Sequence, residues 1–517
     1  MVEAFPHDFV LAGDGRPVED VVQAAIAPRY TVAPDGLPRR LRLTWLDTFD
    51  WRLYHAGLTL RHNVGSRVSD YTLTGDDGEQ ITAEAKGLRW PALADALPPG
   101  PLRARLQAVT WVRALLPTAR ASTVMRQLRV LNADGKTIAW LTVSDLSLPG
   151  PGTNGVPSRL SLTAVRGYQG QTNRIVRQLT AAAGVAPALR SPLDSVLAAA
   201  GRQPCGYSSK IDVKLTGAMP ARSAMQKVLL RLLGTLEANV PGTVRDIDTE
   251  FLHDLRVAVR RTRSGIKLCG DVLAAGTAEA FRGEFKWLGD VTTPIRDLDV
   301  YLLGYDGMAA GLLSATPAEL APFHHYLCQR REIEQRALAR ALRSRRFLDM
   351  TRAWRGALAA PAPRRGMTAA RLAADRIRRA DRQVLRRGTA ITPDSPPESL
   401  HDLRKRCKEL RYLLEFFASL HDPAIHQQAV RDLKGLQDCL GEYQDCQVQQ
   451  HEIRMFAEQM MAQRTVPATA LLAMGELAGQ IARRERQARR EFAGRFAGFA
   501  SAGSQRRFRA LTSGSGP

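Results

Sequence analysis

The chain has 517 residues, 44% of them hydrophobic and 24% charged, which is typical of a soluble protein with two to four domains. Its 73 Lys and Arg against 51 Asp and Glu give a net charge of +22, which favours a polyanionic partner such as nucleic acid, an acidic membrane or polyphosphate. No run approaches the roughly 18 apolar residues of a membrane span, which excludes a transmembrane helix.

The N-terminal segment is acidic and has no apolar core of the kind found in signal peptides. The six cysteines show no CxxC pairing, and Cys269 and Cys407 fall within helical patterns. Free buried thiols are the expected state of such cysteines in a reducing compartment. We therefore expect a cytoplasmic protein without a disulfide framework.

The first part of the chain predicts an antiparallel sheet. Residues 38–90 and 120–165 contain short alternating segments, and "QLRVLNADGKTIAWLTVSDLSL" is two such segments around a hairpin turn. Helices are predicted in "ALADALPPGPLRARLQAVTWVRALLP" and "QTNRIVRQLTAAAG". Residues 191–217 are interpreted as a linker that includes a short docking helix.

From about residue 218 the pattern changes to long helices rich in Ala, Leu and Arg, and this part is internally repeated. A shift of 148 residues superposes the two copies without a gap from the first motif helix onward. The matched basic positions are His253 and His401, Arg256 and Arg404, Arg260 and Lys408, Arg263 and Arg411, and Lys286 and Lys434. A period this long indicates two whole helical bundles, predicted to have four helices each, at 218–390 and 391–505, followed by a tail at 506–517.

Each copy contains a helix that begins with His-Asp-Leu-Arg and carries a basic band beside an apolar band. In the first copy the basic band is His253, Arg256, Arg260, Arg263 and Lys267, about 80° wide on a helical wheel. In the second copy it is His401, Arg404, Lys408 and Arg411, and Glu415 follows where the first copy has a lysine. The second band is therefore less basic at its far end.

Two interpretations of these bands remain open. They are either solvated charges that flank a core stripe, or a surface that binds an anion. Unpaired cations cost several kcal/mol each when buried, so the bands must face water, carboxylates or an anion. Asp297 and Asp445 are too few to neutralise them, and the basic positions repeat, which favours the anion-binding interpretation.

Neither a catalytic nor a metal site is indicated. No Ser, Cys or carboxylate accompanies the repeated histidines in the pattern of an activated nucleophile, and Arg or Lys follows them at i+3 and i+7, which is the wrong charge around a metal cation. Each histidine is expected to be a neutral hydrogen-bonding anchor or a cation against a phosphate oxygen.

Four segments in order resemble the CHAD domain, the conserved histidine α-helical domain. They are "HDLRVAVRRTRSGIKL", "FKWLGDVTTPIRDLDVYL", "HDLRKRCKELRYLLEFF" and "LKGLQDCLGEYQDCQV", within residues 218–505. The resemblance implies two pseudosymmetric four-helix bundles whose basic surfaces bind inorganic polyphosphate, often at polyphosphate granules. The implied binding residues, with Lys267 and Lys405 from the same helices, are His253, Arg256, Arg260, Arg263, Lys267, Lys286, His401, Arg404, Lys405, Lys408, Arg411 and Lys434.

Residues 1–190 resemble a CYTH domain of the triphosphate tunnel metalloenzymes, which implies an antiparallel, barrel-like sheet. The resemblance lies in "LTWLDTFDWRLYHAGLTLRHN" and "NADGKTIAWLTVSD". The Glu-x-Glu-x-Lys segment that supplies metal-binding carboxylates in that family has no match, and Ser161 and Thr163 occupy positions where carboxylates are expected. Arg42, Arg61 and Lys86 either line the interior or lie on the strand surface.

The whole chain is thus predicted to be a multidomain α+β protein: a degenerate, non-catalytic CYTH-like domain followed by an all-α CHAD domain. Polyphosphate binding without a cofactor is the leading function. The alternatives are a metal-dependent tri- or polyphosphatase in the first domain, and a nucleic-acid-binding protein that uses the basic run "ARRERQARR". The oligomeric state is not indicated.

Overall fold

The structure is a computed structural model of the chain, and it describes residues 8–11, 17–66, 69–149, 156–361, 366–464 and 466–513. The chain divides into two compact units, Met1–Ser208 and Ser209–Pro517. An antiparallel sheet unit followed by an all-helical unit is the predicted fold class, which is confirmed.

The first unit is built around ten strands and five α-helices among its described residues. The strands are β1 (Asp8–Leu11), β2 (Thr31–Pro34), β3 (Arg39–Thr48), β4 (Leu58–Val64), β5 (Ser69–Gly75), β6 (Gln80–Glu84), β7 (Leu115–Leu131), β8 (Thr137–Ser147), β9 (Ser158–Ala164) and β10 (Val185–Pro187). The helices are α1 (Val18–Ile26), α2 (Arg52–His55), α3 (Pro101–Thr110), α4 (Gln169–Ala181) and α5 (Pro192–Ala199).

The strands form one antiparallel sheet in the order β10-β1-β9-β8-β7-β3-β4-β5-β6, with β2 also paired to β7. Among the described strands β10 and β6 are the two edges, so the sheet is open and does not close as the barrel-like expectation required. The predicted hairpin is β7–β8, and its alternation is clear: Leu141 and Val143 are buried against the side that α1 and α4 cover.

The opposite face of this sheet is filled by a helix of the same unit. Leu193, Val196 and Leu197 of α5 pack against Leu43 and Trp45 of β3. This helix lies within the segment 191–217 that was interpreted as a linker, and the two units divide after it, at Ser208.

The second unit contains ten α-helices among its described residues, five in each copy of the repeat, one more than the four predicted. The first copy has α6 (Ala221–Val244), α7 (Thr249–Cys269), α8 (Thr277–Ala310), α9 (Pro317–Arg343) and α10 (Arg345–Leu358). The second has α11 (Ala369–Thr389), α12 (Pro397–Phe416), α13 (Pro423–Ala462), α14 (Ala468–Ala500) and α15 (Ala502–Thr512). Helix α15 falls largely within the segment interpreted as a tail, and it is ordered because Phe508 and Leu511 are buried in the core.

The two copies meet around a pseudo-two-fold axis. The main-chain N–H of Ala221 donates to the carbonyl of Met367 at 2.9 Å, and the N–H of Ala369 donates to the carbonyl of Met219 at 2.7 Å. Both bonds join positions that a shift of 148 residues exchanges, so each is the image of the other. The motif helices α7 and α12 also contact each other, which brings the two basic bands to one place.

The apolar bands of the motif helices are confirmed as core. Leu252, Leu255, Val259, Thr262 and Ile266 of α7 are buried, and their counterparts Leu400, Leu403, Cys407, Leu410 and Leu414 of α12 are buried in the same cluster. Burial of one stripe fixes the rotation of each helix, so the basic band must lie at the edge of the bundle. None of the described helices combines the length and apolar character needed to cross a membrane.

The close approach of α6 to α7 gives a test of this packing. A Cβ on Gly242 would overlap the ring of Phe251, which anchors the start of α7, whereas a Cβ on Gly234 of the same helix meets nothing within 4 Å. We expect Gly242→Ala to lower the free energy of unfolding by about 1–3 kcal/mol through overpacking. The control Gly234→Ala should raise it by about 0.5–1 kcal/mol, as expected for an exposed helix interior. Denaturant titration checks both, and equal effects would contradict the packing.

Candidate functional site

A cavity of about 570 Å³ opens where α7, α8 and α12 meet. We call it the cationic cleft, because seven of its lining residues are cations and one, Glu409, is a carboxylate. The cations are Arg260, Arg263, Lys267, Arg282, Lys286, Lys405 and Lys408. Ile266, Phe285 and Tyr412 complete the wall and give it an apolar part.

Half of the twelve predicted binding residues line this cleft. They are Arg260, Arg263, Lys267, Lys286, Lys405 and Lys408. Arg256 and Arg404 lie on the same two helices one to two turns toward the N-terminus, and Arg411 and Lys434 lie outside the cleft. Arg282 was missed by sequence reasoning, although its position four residues before Lys286 on the same helical face is a usable signal.

Two arginines of the cleft, Arg260 and Arg263, differ from its lysines in their contacts with carboxylates. Among the described residues, neither Arg260 nor Arg263 lies within 4.0 Å of a carboxylate oxygen, and both are exposed. The guanidinium of Arg263 lies over Gly289 of α8, where a Cβ would come within 2.7 Å of its Nη1 atom. Glycine at this position therefore lets the arginine lie flat against α8 at the cleft.

Lys408 is the most perturbed cation of the cleft. Burial, followed by the nearby charges of Arg404 and Arg260, lowers the pKa of Lys408 to about 8, and only Asp445 acts in the other direction. The cations of both motif helices therefore repel one another at close range in a partly desolvated place. An anion that entered the cleft would relieve this repulsion.

Arg256 and Arg404 occupy equivalent positions but make different contacts. The Nη2 atom of Arg404 lies 2.9 Å from Oδ1 of Asp445, whereas Nη1 of Arg256 donates to the hydroxyls of Thr292 at 3.1 Å and Thr293 at 2.9 Å. Burial lowers the pKa of Arg256 to about 10, with Asp297 opposing the shift. Asp297 and Asp445 thus offset part of the positive charge, as the sequence indicated.

The remaining lysines of the predicted set are paired with carboxylates. Lys267 lies 2.6 Å from Glu409, Lys405 lies 3.3 Å from Asp402, and Lys286 and Lys434 each pair with an aspartate four residues later. The lysine side chains are more than half exposed, but Glu409, the partner of Lys267, is only 11% exposed. The three lysine–aspartate pairs have two exposed partners and contribute only about 0–1 kcal/mol each, so they can be exchanged for contacts with a bound anion at small cost.

The two histidines that begin the motifs are half-buried. Nδ1 of His401 lies 2.5 Å from Oε1 of Gln444, and because an amide oxygen only accepts, Nδ1 donates in this contact. His401 thereby connects α12 to α13. The counterpart of Gln444 in the first copy is Arg296, which has no amide oxygen to accept from a histidine.

The residues that bear on the CYTH resemblance lie on β3, β4 and β9 and just after β6. Leu160 and Leu162 of β9 face the core, which directs Ser161 and Thr163 to the other side. Arg61 donates from Nε to Oδ1 of Asn63 at 2.7 Å, while Arg42 and Lys86 are exposed. Across the described residues, no group of three or more His, Cys, Asp or Glu side chains is arranged to hold a metal ion.

The family model described as the CHAD domain matches residues 227–454. The matched residues lie within the helical unit, which is therefore similar to the CHAD domain. The sheet of the first unit is consistent with the CYTH-like prediction, but the matches do not name it, so that assignment stays a prediction.

A solved structure similar to this chain shows the fold of the helical unit. The crystal structure of the CHAD domain from the plant Ricinus communis is similar with a TM-score of 0.50 and 22% identity, over 57% of this chain and 96% of that one. PptA from Streptomyces chartreusis has a TM-score of 0.41 and 17% identity, over 54% of this chain and 99% of that one. No curated protein matches the sequence.

Lys408 is partly buried beside the like charges of Arg404 and Arg260, so removal of its charge should stabilise the fold. We expect Lys408→Met to raise the free energy of unfolding by about 1 kcal/mol at pH 7, whereas Lys405→Met, at an exposed position, should change it by less than about 0.5 kcal/mol. The lowered pKa means that the folded state disfavours the charged lysine, so the gain is complete below pH 8 and declines as the pH rises from about 8 toward 10.5. Denaturant titrations across this range check the prediction. A loss of stability in Lys408→Met at pH 7 would contradict it.

Proposed function

We propose that this protein binds inorganic polyphosphate in the cationic cleft. The observation that carries the proposal is the convergence of seven cations and a single carboxylate from three helices onto one cavity. CHAD domains are a family linked to polyphosphate binding, which supports the same ligand.

The chemistry of the cleft suits a flexible chain of phosphates. Such a chain carries about one negative charge per phosphate and presents no fixed shape, so it favours several separate cations over a cradle for one nucleotide. Arg260 and Arg263 offer guanidinium forks, and the exposed lysines offer mobile point charges. The sequence has no glycine-rich loop of the P-loop kind, which disfavours binding of a nucleoside triphosphate.

The nucleic-acid alternative receives little support from the basic run on α14. Nη2 of Arg484 lies 2.7 Å from Glu442, and Arg489 donates to the main-chain carbonyls of Thr392 and Pro393. Two arginines of the run are thus used within the bundle. We also propose that the protein is cytoplasmic and associates with polyphosphate granules, which a fluorescent fusion in cells with and without polyphosphate synthesis tests.

Removal of Arg260 and Arg263 tests the site. We expect Arg260→Ala with Arg263→Ala to weaken the binding of long-chain polyphosphate at least about 10-fold, because each charge-assisted hydrogen bond contributes about 1.5–3 kcal/mol. The matched control, Arg483→Ala with Arg490→Ala, removes the same charge from exposed positions of α14. Binding is measured by fluorescence anisotropy or calorimetry at two salt concentrations, and the complex should weaken as salt rises.

Equal losses in the two double variants would mean that net charge, and not the cleft, binds the polymer. Competition by RNA and DNA at matched salt belongs to the same experiment. We expect polyphosphate to displace either nucleic acid. Tighter binding of RNA or DNA than of polyphosphate would favour the alternative function.

We also propose that the first unit is not a metal-dependent phosphohydrolase. The support is the apolar packing of α5 on the sheet and the placement of Ser161 and Thr163 where metal-binding carboxylates are required. The expected outcome is no release of phosphate from triphosphate or polyphosphate with Mg²⁺ or Mn²⁺, measured by a colorimetric assay. Sustained turnover that a chelator abolishes would contradict the proposal.

A further inference from the structure

The pseudo-two-fold axis of the helical unit should produce two binding surfaces, one the image of the other. A shift of 148 residues exchanges Arg260 with Lys408 and Ser264 with Tyr412, so these four lining residues lie close to the axis. The shift converts the other eight positions of the cationic cleft into positions on the other side of the axis. We call that side the counterpart surface. It is formed by Arg411, Glu415, Val430 and Lys434, with Val257 and Arg261 from α7.

The counterpart surface has lost cations that the cleft has kept. Val257 takes the position equivalent to Lys405, and Val430 takes the position equivalent to Arg282. Glu415 takes the position equivalent to Lys267. Three positive charges of the cleft are therefore replaced by two apolar side chains and one negative charge.

The clearest difference is a pair of salt bridges with reversed charges. In the cleft Lys267 of α7 lies 2.6 Å from Glu409 of α12, and on the counterpart surface Arg261 of α7 lies 2.7 Å from Glu415 of α12. Positions 261 and 267 are the images of 409 and 415, so the axis exchanges the two bridges and inverts their charges.

The two bridges also differ in their access to water. The difference lies in the cations: the side chain of Lys267 is 60% exposed and that of Arg261 is 15% exposed, while the carboxylates of Glu409 and Glu415 are 11% and 19% exposed. Glu415 additionally accepts from Nε of Arg411 at 2.7 Å. One carboxylate therefore holds two arginines that would otherwise face an incoming anion, and Lys434 is paired with Asp438 at 3.0 Å.

We infer that each chain binds polyphosphate on one side of the pseudo-two-fold axis only, and that Glu415 is the residue that closes the counterpart surface to phosphate. The inference rests on the proposed function, which it refines. The duplication produced two equivalent surfaces. On the counterpart surface the carboxylate of Glu415 contacts Arg261 and Arg411, so these arginines are not available to a phosphate. The polymer then meets a single cluster of available cations per molecule.

Stoichiometry with a short probe tests this inference, because a long polymer can bridge both faces. Isothermal titration of the full chain with tripolyphosphate should give about one site per molecule for the wild type. Glu415→Gln with Val257→Lys frees Arg261 and Arg411 and restores the cation equivalent to Lys405. This variant should give about two sites, with the affinity of the first changed by less than about 3-fold. Glu415→Gln alone, which preserves the size of the side chain, should show the second site more weakly.

Two equal sites in the wild type would overturn the inference and leave the proposed function intact. A single site in both variants, with the wild-type melting temperature retained, would overturn the role of Glu415. A cluster of seven cations should bind a short anion. Binding of long chains without any binding of tripolyphosphate would therefore contradict the inference that one compact cleft is the binding site. Failure of the wild type to bind any polyphosphate would overturn the proposed function itself.

Discussion

Repulsion between cations at the α7–α12 contact is the constraint on which the rest of the site depends. Each motif helix buries an apolar stripe in the core, so its basic band lies at the bundle edge whether or not the charges there are compensated. The pseudo-two-fold axis then brings the two bands together, and Arg260, Arg404 and Lys408 are held within electrostatic reach of one another. Like charges held this way store unfavourable energy that a polyanion can release on binding.

The duplication explains both the strength and the asymmetry of this arrangement. Because α7 and α12 contact each other, the positive charges of two basic helices lie in one place. The carboxylates are then distributed unequally: Asp445 is paired with Arg404, while Arg256 donates to threonine hydroxyls. A repeated sequence thus folds into a surface that is symmetric in its backbone and asymmetric in its electrostatics.

The local features of the helical unit could be predicted from the sequence, because helix periodicity is a short-range signal. The buried stripe that includes Leu255 and Leu403, and the basic bands beside it, follow from spacing alone. The cleft itself could not be predicted, since it depends on how α8 lies against α7 and α12. The pairing of Arg261 with Glu415, which joins residues 154 positions apart, was missed for that reason.

For the sheet unit too, local structure could be predicted from the sequence and long-range packing could not. Its antiparallel strands were predicted from alternation, but the open sheet and the packing of α5 across one face are tertiary outcomes of long-range contacts. The apolar residues Leu193, Val196 and Leu197 are the physical reason that the segment is part of the first unit and not a free connection. The departure from the carboxylate pattern at Ser161 and Thr163 was visible in the sequence, and the fold places both on the face opposite the core formed by Leu160 and Leu162.

The most direct test of the central claim is a crystal structure of the full chain with tripolyphosphate bound. The account predicts electron density for phosphates in the cationic cleft between α7, α8 and α12, within hydrogen-bonding distance of Arg260, Arg263 and Lys408. Phosphates bound elsewhere on the molecule, with the cleft closed by contacts to the protein's own carboxylates, would contradict it.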